Sequence, residues 1–255
     1  MPAGLSAASL AVLAAAVFFA GVVDAIAGGG GLVTIPAYFA VGLNPAFILG
    51  TNKLCSAIGT VASAWRYRRT LRFHPPRLKT TVLVAFLGSV LGARAALWLD
   101  PGWLRYLLLG GLPVIALLVY LKRDLGALDQ TSRHAPAALF RRTLAAAFPI
   151  SAYDGFFGPG TGTFFTLALT RGCGYDLLRA TAYAKILNLA SNVAALAAFL
   201  AAGKVEIRLG LAMSAASIAG HYAGSLLGLK KGAAVIRPLL LVVIAATFLK
   251  IIFQR

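Results

Sequence analysis

Apolar stretches of about 20 residues recur along this chain, each long enough to cross a hydrocarbon core of about 30 Å as one helix. They run at 5–27, 46–66, 80–99, 103–121, 143–157, 177–202, 209–229 and 233–253. Within lipid a backbone satisfies its own polar groups only as a helix or a closed barrel, and stretches of this length predict helices. Apolar residues make up 60% of the 255 positions and charged residues only 12%, against roughly 25% charged in a soluble domain. The expected fold is therefore an all-α polytopic membrane protein with about eight spanning helices. Two apolar pieces near 32–43 and 161–171 each follow a glycine run. Both are too short for an upright crossing, which predicts glycine-broken or re-entrant half-helices.

Charge enters this apolar background at two similar places. Asp24 precedes Gly28-Gly29-Gly30-Gly31, and Asp154 precedes Gly155-Phe156-Phe157-Gly158-Pro159-Gly160-Thr161-Gly162. A carboxylate at the centre of a membrane helix costs about 2.5 to 3.5 kcal/mol. Together with helix breakers at the same depth, it marks a functional site. Neither glycine run fits a nucleotide loop, since no G-K-[ST] ending and no preceding strand accompany it.

The formal net charge is +17. In a soluble protein that value would suggest nucleic acid, but no aromatic and basic residues interleave here as they do on a nucleic-acid platform. Two clusters hold most of the charge: Arg66, Arg68, Arg69, Arg72, Arg77 and Lys79, then Lys122, Arg123, Arg133, Arg141 and Arg142. They read as cytoplasmic loops under the positive-inside rule. Arg94, Arg105 and Arg237 fall near helix ends, where side chains snorkel to headgroups. No basic residue precedes Lys53, so the first apolar run reads as a retained span, not a secretory signal. Cys55 and Cys173 lie far apart without C-x-x-C or histidine spacing, and His74, His134 and His221 are scattered. Neither a disulfide, a metal site nor any other cofactor is expected.

The chain repeats itself at half its length. Asp24, Gly28, Gly30 and Thr51 correspond to Asp154, Gly158, Gly160 and Thr181, while Lys53 and Arg105 correspond to Lys185 and Arg237 at a slightly larger offset. Gly88-Ser89-Val90-Leu91-Gly92 recurs as Gly220-His221-Tyr222-Ala223-Gly224, followed by Gly228. Glycines four apart let helix backbones approach closely in lipid, which is a packing role. The basic bias switches between corresponding loops: the Asp100-Pro101-Gly102 turn lacks lysine and arginine, but its counterpart carries Lys230 and Lys231. The expectation is two inverted-topology halves, residues 1–121 and 143–255, joined by a basic cytoplasmic linker at 122–142, with both termini outside.

Inverted repeats place substrate near the midplane, where broken helices offer N–H groups and positive dipole ends to an anion. The candidates for touching substrate are Gly29, Gly30, Gly31, Gly160, Thr161 and Gly162 through their backbones. Thr51, Asn52 and Lys53 in one half, and Thr181, Lys185, Asn188 and Asn192 in the other, would contribute side chains. Lys185, Asn188 and Asn192 share one helical face with Ser191 close by. Lysine supplies charge to an oxyanion, and amides and hydroxyls supply orientation. The glycines could equally serve hairpin packing alone, and the lysines could pair with Asp24 or Asp154. Those aspartates are candidates for a structural ion pair or for carrying coupling protons.

These residues resemble the TauE/SafE sulfite-exporter family, and within it the YfcA-like branch. The resemblance rests on Gly21 to Pro36 with Gly50-Thr51-Asn52-Lys53-Leu54, and on Tyr153 to Gly162 with Ala180 to Asn192. It implies an inner-membrane multi-pass carrier of about eight helices in two homologous halves, for sulfite, organosulfonates or related organic anions. The expected function is thus secondary transport of a small anion by alternating access, with the lipid bilayer and the anion as partners, no nucleic acid, and homo-oligomerisation left open. An anion channel would share the site chemistry. An intramembrane enzyme would need a nucleophile and base at membrane depth, and no spacing argument brings a histidine near Ser191 or the lysines.

Overall fold

The computed structural model describes residues 5–72, 75, 77–100, 102–111 and 129–231. Helix α1 (Ala7–Ala27) starts where the Ser6 hydroxyl accepts from the Ser9 amide, and it stops at Gly28, whose φ of 77° is left-handed. The short α2 (Gly31–Ala40) follows at once. Asn44 caps α3 (Pro45–Leu71) through the Ala46 amide, with Pro45 pre-set for a first turn that has no use for its missing N–H. Next come α4 (Leu78–Trp98) and the short α5 (Gly102–Tyr106), which runs into a π-helical turn at Leu107–Gly111.

The second half retraces this order. Helix α6 (Pro136–Phe156) breaks at its glycine run, and α7 (Thr161–Leu167) starts from the left-handed Gly160 and ends in a π-helical turn at Ala168–Gly172. Asp176 caps α8 (Leu177–Ala201) through the Arg179 amide, and α9 (Ile207–Lys231) completes the described chain. Every described segment of regular structure is helical, and both half-helices stand where the glycine runs put them.

Three helices, α1, α4 and α8, are long and apolar enough to cross a membrane by length and composition. Helices α3, α6 and α9 are of similar length but carry more charge, three or four charged residues each against one or two. Only the start of the stretch at 103–121 lies within the described residues, and the stretch at 233–253, His74, Lys122, Arg123 and Arg237 lie outside them. Arg94 is exposed on α4.

Two boundaries differ from expectation. Helix α6 begins at Pro136, before the apolar stretch, so Arg141 and Arg142 sit on helix, where Arg142 donates to the Gly172 carbonyl at 2.9 Å. Arg66, Arg68 and Arg69 likewise ride the last turns of α3. A helix continues past the hydrocarbon region as long as its backbone bonds close, so apolar length marks the membrane segment and not the helix end.

The bundle is apolar outside and polar within. Leu83, Leu87 and Leu91 form an exposed stripe along α4, each at least half accessible, while Gly88, Ser89 and Gly92 on the opposite face are buried. That is the arrangement lipid favours, since tails solvate leucine as well as a core does. Glycines let the helices touch. An added Cβ at Gly92 would lie 1.8 Å from the Ala152 carbonyl oxygen of α6, and one at Gly220 would lie 2.1 Å from the Phe18 oxygen of α1. So α4 packs along α6, α1 along α9, and α3 crosses α8. These are the packing contacts expected of the four-residue glycine spacing.

Candidate functional site

The two glycine breaks meet inside the bundle. A Cβ at Gly28 would lie 2.2 Å from the Gly162 carbonyl carbon, and one at Gly162 would lie 2.5 Å from Gly28 Cα. The Thr163 hydroxyl donates to the Ala27 carbonyl across the same junction. Backbone touches backbone here because neither run carries a side chain at the crossing.

Beside this junction the charged residues pair across the halves. Lys53 of α3 reaches Asp154 of α6 at 2.8 Å, and both side chains are 2% exposed. Lys53 also donates to Asn192 Oδ1 at 3.0 Å, and Asn192 in turn donates to Asn188. Ser191 donates to the same carboxylate, Asp154, at 2.6 Å. The related pair joins Lys185 of α8 to Asp24 of α1 at 3.0 Å, with a further bond from Lys185 to the Asp24 backbone carbonyl. Asp24 also accepts from the Gly30 amide at 3.3 Å, so one aspartate holds the start of α2 in place. Among the described residues, the buried lysines and the buried aspartate are all in these two pairs.

The other expected site residues divide. Asn52 accepts from the Thr34 hydroxyl, which ties α3 to α2 near the break. Gly31 packs against Pro159, bringing the two runs together a second time. Thr161 donates to the Gly158 carbonyl at 2.7 Å, and the Gly160 carbonyl accepts from the Phe164 amide, both closing the first turn of α7. Gly29 does the same for α2, accepting from the Leu32 amide. Thr51 and Thr181 are elsewhere engaged. The Thr51 hydroxyl accepts from the Glu206 amide before α9, and Thr181 donates back to Leu177 within α8. Thr181 makes a local bond within its own helix, and Thr51 a long-range bond to the segment before α9; a sequence motif distinguishes neither from ligand contact.

Sequence spacing missed His221. Its Nε2 lies 3.1 Å from Asp24 Oδ2, placing an imidazole in the same cluster as Lys185. The only hint was its place between Gly220 and Gly224, since the glycines that bring α9 against α1 also carry the residue between them inward. Ser217 stands 3.3 Å from His221 Nδ1, so a serine, a histidine and an aspartate line up inside the bundle, which sequence spacing had not brought together. The arrangement does not suit a nucleophile. The Ser217 hydroxyl donates to the Cys55 carbonyl at 3.1 Å and is packed onto Gly59, where an added Cβ would lie 2.1 Å from it. Cys55 and Cys173 are both buried thiols.

The family model described as "Sulfite exporter TauE/SafE" matches residues 13–251. A protein of Sinorhizobium named "Probable membrane transporter protein ORF9" is 40% identical over 95% of this chain and 92% of its own length. The Escherichia coli K12 "Probable membrane transporter protein YfcA" is 37% identical over 96% and 90%. A "Probable membrane transporter protein" of Haemophilus influenzae is 34% identical over 96% and 95%. No solved structure matches the chain.

Proposed function

Because the chain belongs to the sulfite exporter TauE/SafE family of multi-pass membrane proteins, we propose that it is a secondary carrier for a small anion, working by alternating access across the cell inner membrane. Sulfite, organosulfonates and related organic anions are the substrate class. The observation that carries this reading is the pair of buried lysines from α3 and α8, each held by an aspartate of the opposite half beside the meeting point of two broken helices.

A buried charge is tolerated only when paired and hydrogen-bonded, and each lysine here has such a partner. An anion arriving at the junction competes with the aspartates for the same ammonium groups. Because each pair links one half to the other, a change in pairing bears directly on how the halves sit together. Interrupted helices at a repeat interface are a recurring way to build such a site.

Purified protein in detergent should gain thermal stability from its substrate, since a ligand of the native state raises the apparent stability. The probes are sulfite, sulfoacetate, taurine, thiosulfate and simple carboxylates. A stabilising probe then enters a counterflow assay in proteoliposomes, where accelerated exchange marks a carrier. Ohmic current without accelerated exchange would mark a channel and overturn alternating access.

A further inference from the structure

We propose that His221 and Asp24 form a proton-binding site, and that the proton held there accompanies a monovalent anion through the carrier. The proton site stands on hydrogen-bond geometry alone, whereas its coupling to an anion rests on the transport reading above.

Both ring nitrogens of His221 face oxygen acceptors. Nδ1 lies 2.9 Å from the Ser217 backbone carbonyl, and Nε2 lies 3.1 Å from Asp24 Oδ2. The Ser217 hydroxyl spends its hydrogen on the Cys55 carbonyl, so it does not supply one to Nδ1. A carbonyl accepts only, so Nδ1 carries hydrogen. A neutral imidazole carries just one, which leaves Nε2 as an acceptor facing a carboxylate that also only accepts. The contact becomes a hydrogen bond when a further proton sits on Nε2 and is donated to the carboxylate. Thr60, 3.5 Å from Nε2, is too distant to replace it.

The charge balance gives that proton a use. Lys53 and Lys185 against Asp24 and Asp154 sum to zero, so an anion entering this neutral cluster would be an uncompensated buried charge. With the proton on the His221–Asp24 contact, the cluster carries one net positive charge and matches one monoanion. Proton uptake at Nε2 favours anion entry, and release of the anion to the other side frees the proton to leave Nε2.

The opposite half lacks an equivalent. At the offset that relates Lys53 to Lys185, Ser89 stands in the place of His221, and Ser191 in the place of Gly59. Ser191 binds Asp154 and is itself bound through its carbonyl by Ser89 at 2.6 Å. In the Asp24 half the space above Gly59 is filled by the imidazole, since a Cβ there would lie 2.5 Å from His221 Nδ1. One aspartate therefore has a hydroxyl partner that holds no extra proton, and the other has an imidazole, which takes a second proton on its free nitrogen. Among the described residues, the titratable or charged groups facing His221 from the packed helices are Asp24 on α1, the buried Lys53, Cys55 and Tyr67 and the half-buried Arg66 on α3, and Lys185 reaching in from α8 through Asp24. Arg66 is turned aside onto the Tyr222 ring.

The test uses the full chain in liposomes that enclose a pH-sensitive dye, with methanesulfonate as the probe because this monoanion does not itself titrate near neutrality. An inward methanesulfonate gradient should acidify the lumen through the wild type, and His221→Gln should lose the acidification. Equal acidification per methanesulfonate through the variant overturns the proposal. Nitrogen NMR of the histidine-labelled wild type decides the proton site whether or not methanesulfonate is carried or His221→Gln folds, with His74→Gln and His134→Gln assigning the other two rings. A His221–Asp24 site that gains one proton on going from alkaline to acid pH supports the proposal. A ring that stays neutral, or whose protonation never changes across the range, overturns it. If methanesulfonate is not moved while the ring titrates, the proton site stands and the transport reading fails for that anion.

Discussion

Replacing Gly28 by alanine tests the meeting of the two broken helices, because two costs fall on one methyl group. The left-handed φ of 77° penalises any Cβ, by about 1 to 2 kcal/mol. The new carbon would also lie 2.2 Å from the Gly162 carbonyl carbon and 2.4 Å from Gly162 Cα and the Thr163 nitrogen. All three are backbone atoms, so no side chain can swing away. The runs must separate by about 1 Å to reach ordinary contact, and overpacking of this kind costs about 1 to 3 kcal/mol. Gly42 supplies the control, with a φ of 79° and nothing within 4 Å of an added Cβ. Gly42→Ala should lose only the backbone portion, and Gly28→Ala should lose about 1 to 3 kcal/mol more. Equilibrium unfolding in mixed micelles with rising dodecyl sulfate measures both variants against wild type. Equal destabilisation of the two would refute the contact between the glycine runs, and with it the placement of the lysine–aspartate pairs beside that contact.

The other predictions concern charge. Lys53→Met strands the Asp154 carboxylate, with Ser191 still donating to it, and should destabilise by about 3 to 5 kcal/mol. Adding Asp154→Leu removes the stranded charge and should recover most of that loss in the same unfolding assay; simple additivity of the two substitutions would count against a coupled pair. Outside the membrane segments, slight burial works against the charge of Asp129, but the Thr131 hydroxyl and amide and the Arg179 guanidinium hold its carboxyl below the usual carboxylate range. A depressed folded-state value means the contact contributes above the unfolded carboxylate value of about 3.9 and is lost as pH falls through the folded one. Arg179 is half exposed, so salt screens the pair. Amide protection at Thr131–Arg133, taken relative to the intrinsic exchange rate at each pH, should fall on acidification, and Asp129→Asn should show the same loss of protection already at neutral pH.

Much of the fold was legible because lipid imposes simple rules. A span must be helical and about 20 residues long, so the starts and ends of α1, α4 and α8 follow closely from the apolar stretches. The half-helices α2 and α7 were equally legible, since glycine runs end one helix and the apolar sequence beyond them begins another. Lys53, Lys185, Asp24 and Asp154 stood out because charge is rare in such sequence. Their pairing was not legible in the same way: Lys53 was a candidate partner for either aspartate, and only helix packing selects Asp154.

What the sequence determined by itself is a helical membrane bundle in which the same carboxylate, glycine run and lysine occur twice. The tertiary structure decided which of those groups meet, because contact between residues far apart in the chain depends on crossings set by glycines such as Gly92 and Gly220. It gave the Thr51 and Thr181 hydroxyls backbone partners, at Glu206 and Leu177. It brought in His221, whose neighbours along α9 gave no sign of a carboxylate within reach, because the close approach of α9 to α1 carries the imidazole to Asp24.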